Sequence, residues 1–365
     1  MKQPGHGPGT LSILAGRTVK LPQYHYNGYL GVHGNIRIVP VRIAKSVVLW
    51  KNKAFTDALE YVLSLYDNPD TRCHIICMSM GGMPSKAWAD AVNRAYEKGI
   101  FIVTAAGNNF GRITPSTLVY PARFKRVTAT CGVTFDYSPY YKPVSPAYTG
   151  TMQGNFGPRK AMNKAIAAFT PNVPWALYHT ESQVSINGAG TSSATPQVAA
   201  AAAIYYQRHY EDLEKLKGWE IVEKIRGAMY QSAARKITGK PQEDIRLYFG
   251  NGILQAGRML AISPGQVDIS YQEPDEVSWP FLKMITGLSV LETTEVDDDG
   301  TREMYETEIL QLISRSAGLQ ELLGHEERSF DELSEEEQKI FIKSIYDAPE
   351  TSASLRALIA SLQII

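Results

Sequence analysis

Cysteine is scarce. Cys73, Cys77 and Cys131 are the only three in 365 residues, too few for a disulfide framework. Cys73 and Cys77 sit in a strand-like run, where two buried small hydrophobes are a commoner arrangement than metal ligands. This cysteine usage favours a reducing, cytoplasmic compartment. Charge of one sign is equally lacking. Lys plus Arg number 37 and Asp plus Glu number 37, so no excess points to nucleic acid or to a membrane surface. No apolar run reaches membrane-spanning length. The opening Met-Lys-Gln-Pro-Gly-His also has no apolar core of the kind a signal peptide needs.

Small residues are abundant, and they converge on Gly188-Ala-Gly190-Thr191-Ser192-Ser193-Ala194-Thr195-Pro196-Gln197-Val198, which runs into the alanines 199–203. Read locally, this is a Gly-rich turn opening a helix whose face is mostly methyl groups. Free N–H groups and the positive dipole end at a helix start favour a developing oxyanion. Pro196 is tolerated because the first turn needs no donor there. A common Ala-rich core helix with a Ser/Thr cap would share these features. The ordered string separates the two readings: it resembles the nucleophile motif of the subtilisin-like serine peptidases, Gly-Thr-Ser-x-Ala-x-Pro-x-Val-Ala. All seven specified positions match between Gly190 and Ala199.

Three further stretches carry the same resemblance. Gly5-His6-Gly7-Pro8-Gly9 feeds a short helix ending near Ala15-Gly16 and is similar to the family's histidine segment. His74-Ile75-Ile76-Cys77-Met78-Ser79-Met80-Gly81-Gly82 is similar to its Asn-Met-Ser-Leu-Gly-Gly run, with Cys77 where asparagine is usual. Thr104-Ala105-Ala106-Gly107-Asn108-Asn109, otherwise a turn, is similar to its Ala-Ala-Gly-Asn segment. The resemblance implies roles. Ser192 is the nucleophile and His6 its general base. Asn108 and the Ser192 N–H hold the oxyanion. Ser79, Met80 and Gly81 pair with the backbone of an extended peptide. Ala105, Ala106 and Gly107 line the pocket for the residue before the cleaved bond.

Along the chain, 36–43 reads as a strand after a turn in which His33 is a loop residue. Residues 52–66 carry apolar residues at helical spacing. A helix from Pro84 to Lys98 stops at Gly99. Strands are expected near 100–103, 127–133 and 165–169, and helices at 219–235 and 254–261. Residues 134–160 are loop-rich. Beyond about 263 the pattern changes: Glu295-Val-Asp-Asp-Asp-Gly300 reads as a solvated acidic turn in preference to a calcium loop. Helices follow near 303–323, 335–346 and 351–363, with Ser334 and Glu337 forming a capping box.

The expected architecture is α/β: a subtilisin-like three-layer fold, mostly parallel sheet with helices on both faces, plus a small helical C-terminal appendage. The expected division is a peptidase domain over 1–262, a linker over 263–302 and a helical extension over 303–365, through which copies of the chain could associate. One part of the family pattern is missing. The catalytic aspartate lies upstream of the histidine at the end of a central strand, and no Val-x-x-x-Asp-Ser/Thr-Gly string exists here. The resemblance therefore implies an N-terminally truncated domain with an open seam in its sheet. Such a chain would be inactive or weak on its own, and an upstream leader to secretion stays compatible with it. No cofactor or metal is needed for the chemistry; a structural calcium ion fits the family but has no assigned position. The expected partner is a peptide or protein substrate. A non-catalytic peptide-binding module is the second reading. An α/β-hydrolase is disfavoured, since its serine sits in Gly-x-Ser-x-Gly and its histidine comes last.

Overall fold

The computed structural model describes residues 5–32, 36–49, 52–82, 84–110, 117–140, 152–180, 183–239, 241–276, 299–324, 328 and 332–361. His33 and residues 295–298 of the acidic turn lie outside the described residues. The chain opens with α1 (His6–Leu14), followed by an antiparallel pair, β1 (Ala15–Leu21) and β2 (Tyr26–Gly31). Then come β3 (Val48–Leu49), α2 (Asn52–Tyr66), β4 (Ile75–Met78), β5 (Gly81–Gly82), α3 (Lys86–Lys98) and β6 (Phe101–Ala105). The Ser85 hydroxyl accepts the Trp88 N–H and caps α3, so this helix starts at Lys86 and not at Pro84. Gly99 closes it with φ 88°, a left-handed conformation that glycine adopts without strain.

Next are β7 (Asn108–Phe110), β8 (Thr128–Val133), β9 (Met152–Gly154), β10 (Ala165–Phe169), β11 (Val173–Ala176) and β12 (Val184–Gly188). The Asn108-Asn109 pair is thus strand, paired antiparallel with β9, where a turn was expected. After it come α4 (Thr191–Arg208), the single turn α5 (Tyr210–Leu213), α6 (Trp219–Ser232), α7 (Gln242–Phe249) and α8 (Ala256–Met259). The parallel sheet has the order β10-β8-β6-β4. Its strands alternate between two apolar layers, as a sheet buried on both faces requires. Phe101 and Val103 pack with the α4 and α6 side, whereas Ile102 packs with α2 and α3. The alanines of α4 let that helix lie close against β4, β6, β8 and β10.

The expected strand over 36–43 is absent. Residues 36–44 have no regular structure, and Ile38 and Val41 are 36% and 41% exposed. The reason is geometric. β3 pairs in parallel with β5, so 36–49 and 75–82 run side by side and meet only at their downstream ends. Upstream they are parted by a cavity of about 1130 Å³, lined by 36–47 on one wall and 72–80 on the other. Among the described residues β4 has β6 as its single strand neighbour, so its far edge faces that cavity. A strand without a ladder partner loses the hydrogen bonds that define it.

A segment beyond α8 is stitched to α3. Arg126 is 1% exposed and lies between the rings of Tyr96 and Tyr271, at 4.4 and 5.0 Å. Its Nη2 donates to Gln272 O at 2.8 Å. The Asp275 carboxylate accepts the Lys125 and Arg126 N–H groups at 2.6 and 3.0 Å. Four later helices, Asp299–Arg315, Ala317–Leu322, Glu335–Asp347 and Ala353–Ser361, share an apolar cluster around Ile309, Phe341, Ile345 and Leu355. Ser334 and Glu337 form the expected capping box.

Candidate active site

Gly190, with φ 77°, turns the chain into α4. A Cβ there would meet Asn108 Oδ1 at 3.0 Å and Nδ2 at 3.1 Å, so the Asn108 amide lies flat against the helix start. Its Oδ1 accepts the Thr191 N–H at 2.9 Å. The Thr191 hydroxyl donates to Gly107 O at 2.9 Å and accepts the Gly107 N–H at 3.2 Å, which ties the end of β6 to α4. Within the first turn Thr191 N–H is taken by Asn108 and Ser193 N–H by Gly190 O. Among the described residues no acceptor meets the Ser192 N–H. A helix-start donor left open in this way is the group an oxyanion needs.

Ser192 and Ser79 are both buried, at 8% and 7% exposure, and they bond reciprocally. Ser79 Oγ donates to Ser192 O at 2.8 Å, and Ser192 Oγ donates to Ser79 O at 3.5 Å. The second contact is long and easily exchanged. Thr170 Oγ1 donates to Gly190 O at 3.0 Å and lies 2.9 Å from Ser193 Oγ, which fixes the turn from below. Met80 lines the large cavity. Gly81 already donates its N–H to Val47 O at 3.1 Å and Gly82 donates to Tyr120 O at 2.9 Å. The backbone of Ala106 is equally engaged, with Thr130 O and with the Val119 N–H. These segments therefore present a rigid frame in which several pairing positions are filled from within.

His6 starts α1, which packs against α4, and it lines the same cavity as Ser79. Among the described residues no hydrogen bond joins His6 to Ser192. The imidazole meets the Trp175 ring edge-on, with centroids 5.7 Å apart. Ala176 N–H donates to Ser12 Oγ at 3.0 Å, and a Cβ at Gly9 would fall 1.8 Å from the Trp175 ring. The β11–β12 hairpin thus clasps the histidine helix, and Gly9 is small because the indole fills its space. Nothing periodic in the sequence marks Trp175; only the unusual Gly9 inside a helix hints at a close neighbour.

Burial holds His6 below its ordinary value of 6.5, and among the described residues no carboxylate offsets this. A lowered histidine pKa means that the folded chain binds the proton less well than the unfolded chain, so stability falls as pH drops through 6.5. Trp175→Ala admits water to the ring and is expected to move the His6 titration upward, as followed by NMR of its ring protons. An unmoved titration would mean that the indole does not control the histidine.

Among the described residues no group of three or more His, Cys, Asp or Glu is placed to hold a metal ion. Cys73 and Cys77 are not the fully buried pair expected: both are half-buried and line the large cavity, though desolvation still pushes the Cys77 thiol up to about 12, which leaves it unreactive. Among the described residues no helix is long and apolar enough to cross a membrane.

The fold and site define a class: a helix-start serine at the carboxyl ends of a parallel sheet, faced by an asparagine amide, with a histidine helix packed alongside. The subtilase family (peptidase S8) matches over residues 1–252, and the chain belongs to that family. The thermostable alkaline protease of Halalkalibacterium halodurans is 31% identical over 70% of this chain and 57% of its own length. Subtilisin DY of Bacillus licheniformis is 27% identical over 56% of this chain and 65% of its own. The chain thus spans less than two thirds of either relative. The prenylagaramide maturation protease PagA shares the fold, with a TM-score of 0.50 at 20% identity over 70% of this chain and 82% of its own. The PatG macrocyclase in complex with peptide has a TM-score of 0.50 at 15% identity, over 70% and 67%.

Proposed function

We propose that the chain is a serine endopeptidase acting through an acyl-enzyme on Ser192. The observation that carries this reading is the Ser192 N–H, open at the start of α4 beside the Asn108 amide. His6 takes the Ser192 proton as Oγ attacks the peptide carbonyl. The negative oxygen that forms is held by the Ser192 N–H and the Asn108 side-chain N–H. The C–N bond then breaks, the His6 proton leaves with the amine, and water releases the acid by the same path reversed. Ser79, Met80 and Gly81 run beside the peptide backbone, and Ala105, Ala106 and Gly107 frame the residue before the cleaved bond. None of these steps needs a cofactor.

The family carboxylate that orients the histidine has no counterpart among the described residues around His6. As it stands the chain is therefore a weak enzyme, with a residual rate carried by the oxyanion donors. The second reading, a peptide-binding module without chemistry, is favoured by one contact, the Ser192 hydroxyl on Ser79 O. A fluorophosphonate probe separates the two. Covalent labelling that disappears in Ser192→Ala supports the peptidase, and a wild-type chain that stays unlabelled supports the module.

The helices within 303–365 serve assembly. Removing them is expected to change solubility or oligomeric state, read by light scattering, and to leave peptide preference in place. A shortened chain with altered preference and unchanged assembly would overturn this role.

A further inference from the structure

The balance of charge over the whole chain hides two opposed parts. Residues 1–276 hold 30 Lys and Arg against 19 Asp and Glu, whereas residues 277–365 hold 7 against 18. The body is basic by 11 charges and the tail is acidic by the same number.

Part of the surplus gathers at one end of the body. Arg123 and Lys125 precede β8, and Arg159 and Lys160 stand in the short 3₁₀ segment Arg159–Lys164 that precedes β10. Both stretches therefore lie at the amino ends of parallel strands, opposite to Ser192. Arg235 and Lys236 follow α6. Hydrogen bonds knit the three stretches into one face. Lys164 Nζ donates to Arg123 O, Asn251 Nδ2 donates to Asn163 O at 2.7 Å, and Arg235 Nε donates to Asn251 O at 3.1 Å. Arg123 is half-buried and the other five cations are exposed. α7 adds Arg246 but also Glu243 and Asp244, so the surplus comes from the other stretches. The nearby carboxylates are engaged, Glu97 with Arg126 at 2.9 Å and Glu223 with Arg226 at 2.7 Å. Beneath the face, burial pushes the Lys164 ammonium down to about 7; Asp275 opposes this, and Arg123, Arg226 and Lys125 add to it.

The tail leaves the body at this same face. The Asp275 carboxylate accepts the Lys125 and Arg126 N–H groups, and the Asp275 N–H donates to Asn93 Oδ1 at 2.8 Å. Glu276, the next residue, is exposed. The 22 residues 277–298 can span at most about 75 Å. Beyond them the helices from Asp299–Arg315 to Ala353–Ser361 share an apolar cluster of their own. Glu335 and Glu336 are exposed at the start of the helix Glu335–Asp347 and give this module an acidic edge.

We propose that the C-terminal helical module docks on the basic face of its own body, with the edge at Glu335 and Glu336 turned towards Lys125, Lys160 and Lys236. Single exposed ion pairs contribute little, so the contact depends on complementarity over the whole face. The shared chain adds an effective concentration of the order of millimolar. A second copy offers the same charges without that advantage, which favours the chain's own body. Docking closes the face to other polyanions and makes release from the body the first step of any assembly through these helices.

The test mixes isotopically light and heavy copies of the full chain and treats them with a carbodiimide, which joins carboxylates to lysines in contact. Links are mapped by mass spectrometry at about 0.01 M and about 1 M salt, where charges act over about 30 Å and about 3 Å. Links from Lys125, Lys160 or Lys236 to carboxylates of 299–361, each within one copy, are expected at low salt and should fall by about tenfold or more at high salt. Arg159→Glu combined with Lys160→Glu should cut the low-salt links at Lys125 and Lys236 by about fivefold or more. Glu335→Gln combined with Glu336→Gln should weaken them as well, while the Ser334 cap keeps the helix. Reversal of two cations elsewhere, Lys20→Glu with Lys53→Glu, should leave the links in place, and melting curves confirm that each variant is folded. An absence of body-to-module links at low salt would overturn the proposal. So would links that persist at high salt or in the folded Arg159→Glu, Lys160→Glu chain, and so would links formed mainly between light and heavy copies. None of these readouts involves Ser192, so they stand whether or not the peptidase reading does.

Discussion

Joining an upstream segment to the chain, a Val/Ile-rich strand ending in Asp-Ser-Gly or Asp-Thr-Gly, is expected to raise peptide turnover by about 10⁴-fold. That is the loss seen when a trypsin-like triad is deprived of its acid. It is also expected to raise the melting temperature. Both effects have a place in the structure. The far edge of β4 faces the cavity of about 1130 Å³ whose other wall is 36–47. The two walls run parallel and converge at β3 and β5. A strand laid between them would satisfy both edges, and its downstream end would arrive near Ser79 and His6, which line the same space. A carboxylate there would hold the imidazole in one tautomer and lift its pKa from the value that burial now depresses. Thermal melts and hydrolysis of a chromogenic peptide compare the two chains. Full-rate cleavage by the shorter one would show that another group orients His6 and would end this account of the triad.

Asn108→Ala is expected to slow acylation of Ser192 by roughly 100- to 1000-fold, the cost of deleting an oxyanion donor as measured in subtilisin. The alanine also strips the Thr191 N–H of its acceptor, so a folding defect could mimic the effect. Asn108→Asp separates them. It keeps an oxygen for Thr191 and removes the N–H donor, so it should remain folded and be slowed at least as much. Labelling of Asn108→Asp at the wild-type rate would mean that the amide nitrogen stabilises nothing.

The parts of this molecule written in contiguous strings could be read from its sequence. The serine segment, the helix at 52–66, the strands near 101, 128 and 165 and the Ser334 capping box depend on neighbours a few positions away. What depends on distant segments was hidden. Residues 36–43 have the composition of a strand, yet composition cannot supply a ladder partner. Asn108-Asn109 looks like a turn until β9 arrives 44 positions later to pair with it. The helix over 242–249 follows a proline and begins with three polar residues, and no apolar period announces it. Trp175 owes its position to a three-way contact that no spacing encodes. The grip assigned to Gly81 was legible as a motif, but not that Val47 already holds its N–H.

The Arg126 sandwich bears on where a minimal catalytic piece could be cut. A chain ended after residue 262 would lose Tyr271, Gln272 and Asp275 together, leaving the Arg126 guanidinium with Glu97 at 2.9 Å, Asn93 O and the Tyr96 ring as its remaining partners. Hydrogen bonds to charged groups contribute about 1.5–3 kcal/mol each, so losing those to Gln272 O and the Asp275 carboxylate removes a large share of the roughly 5–15 kcal/mol that keeps an ordinary domain folded. A piece ended after residue 276 keeps the whole clasp. The fourteen residues 263–276 that look like the start of a tether thus belong, energetically, to the body they leave.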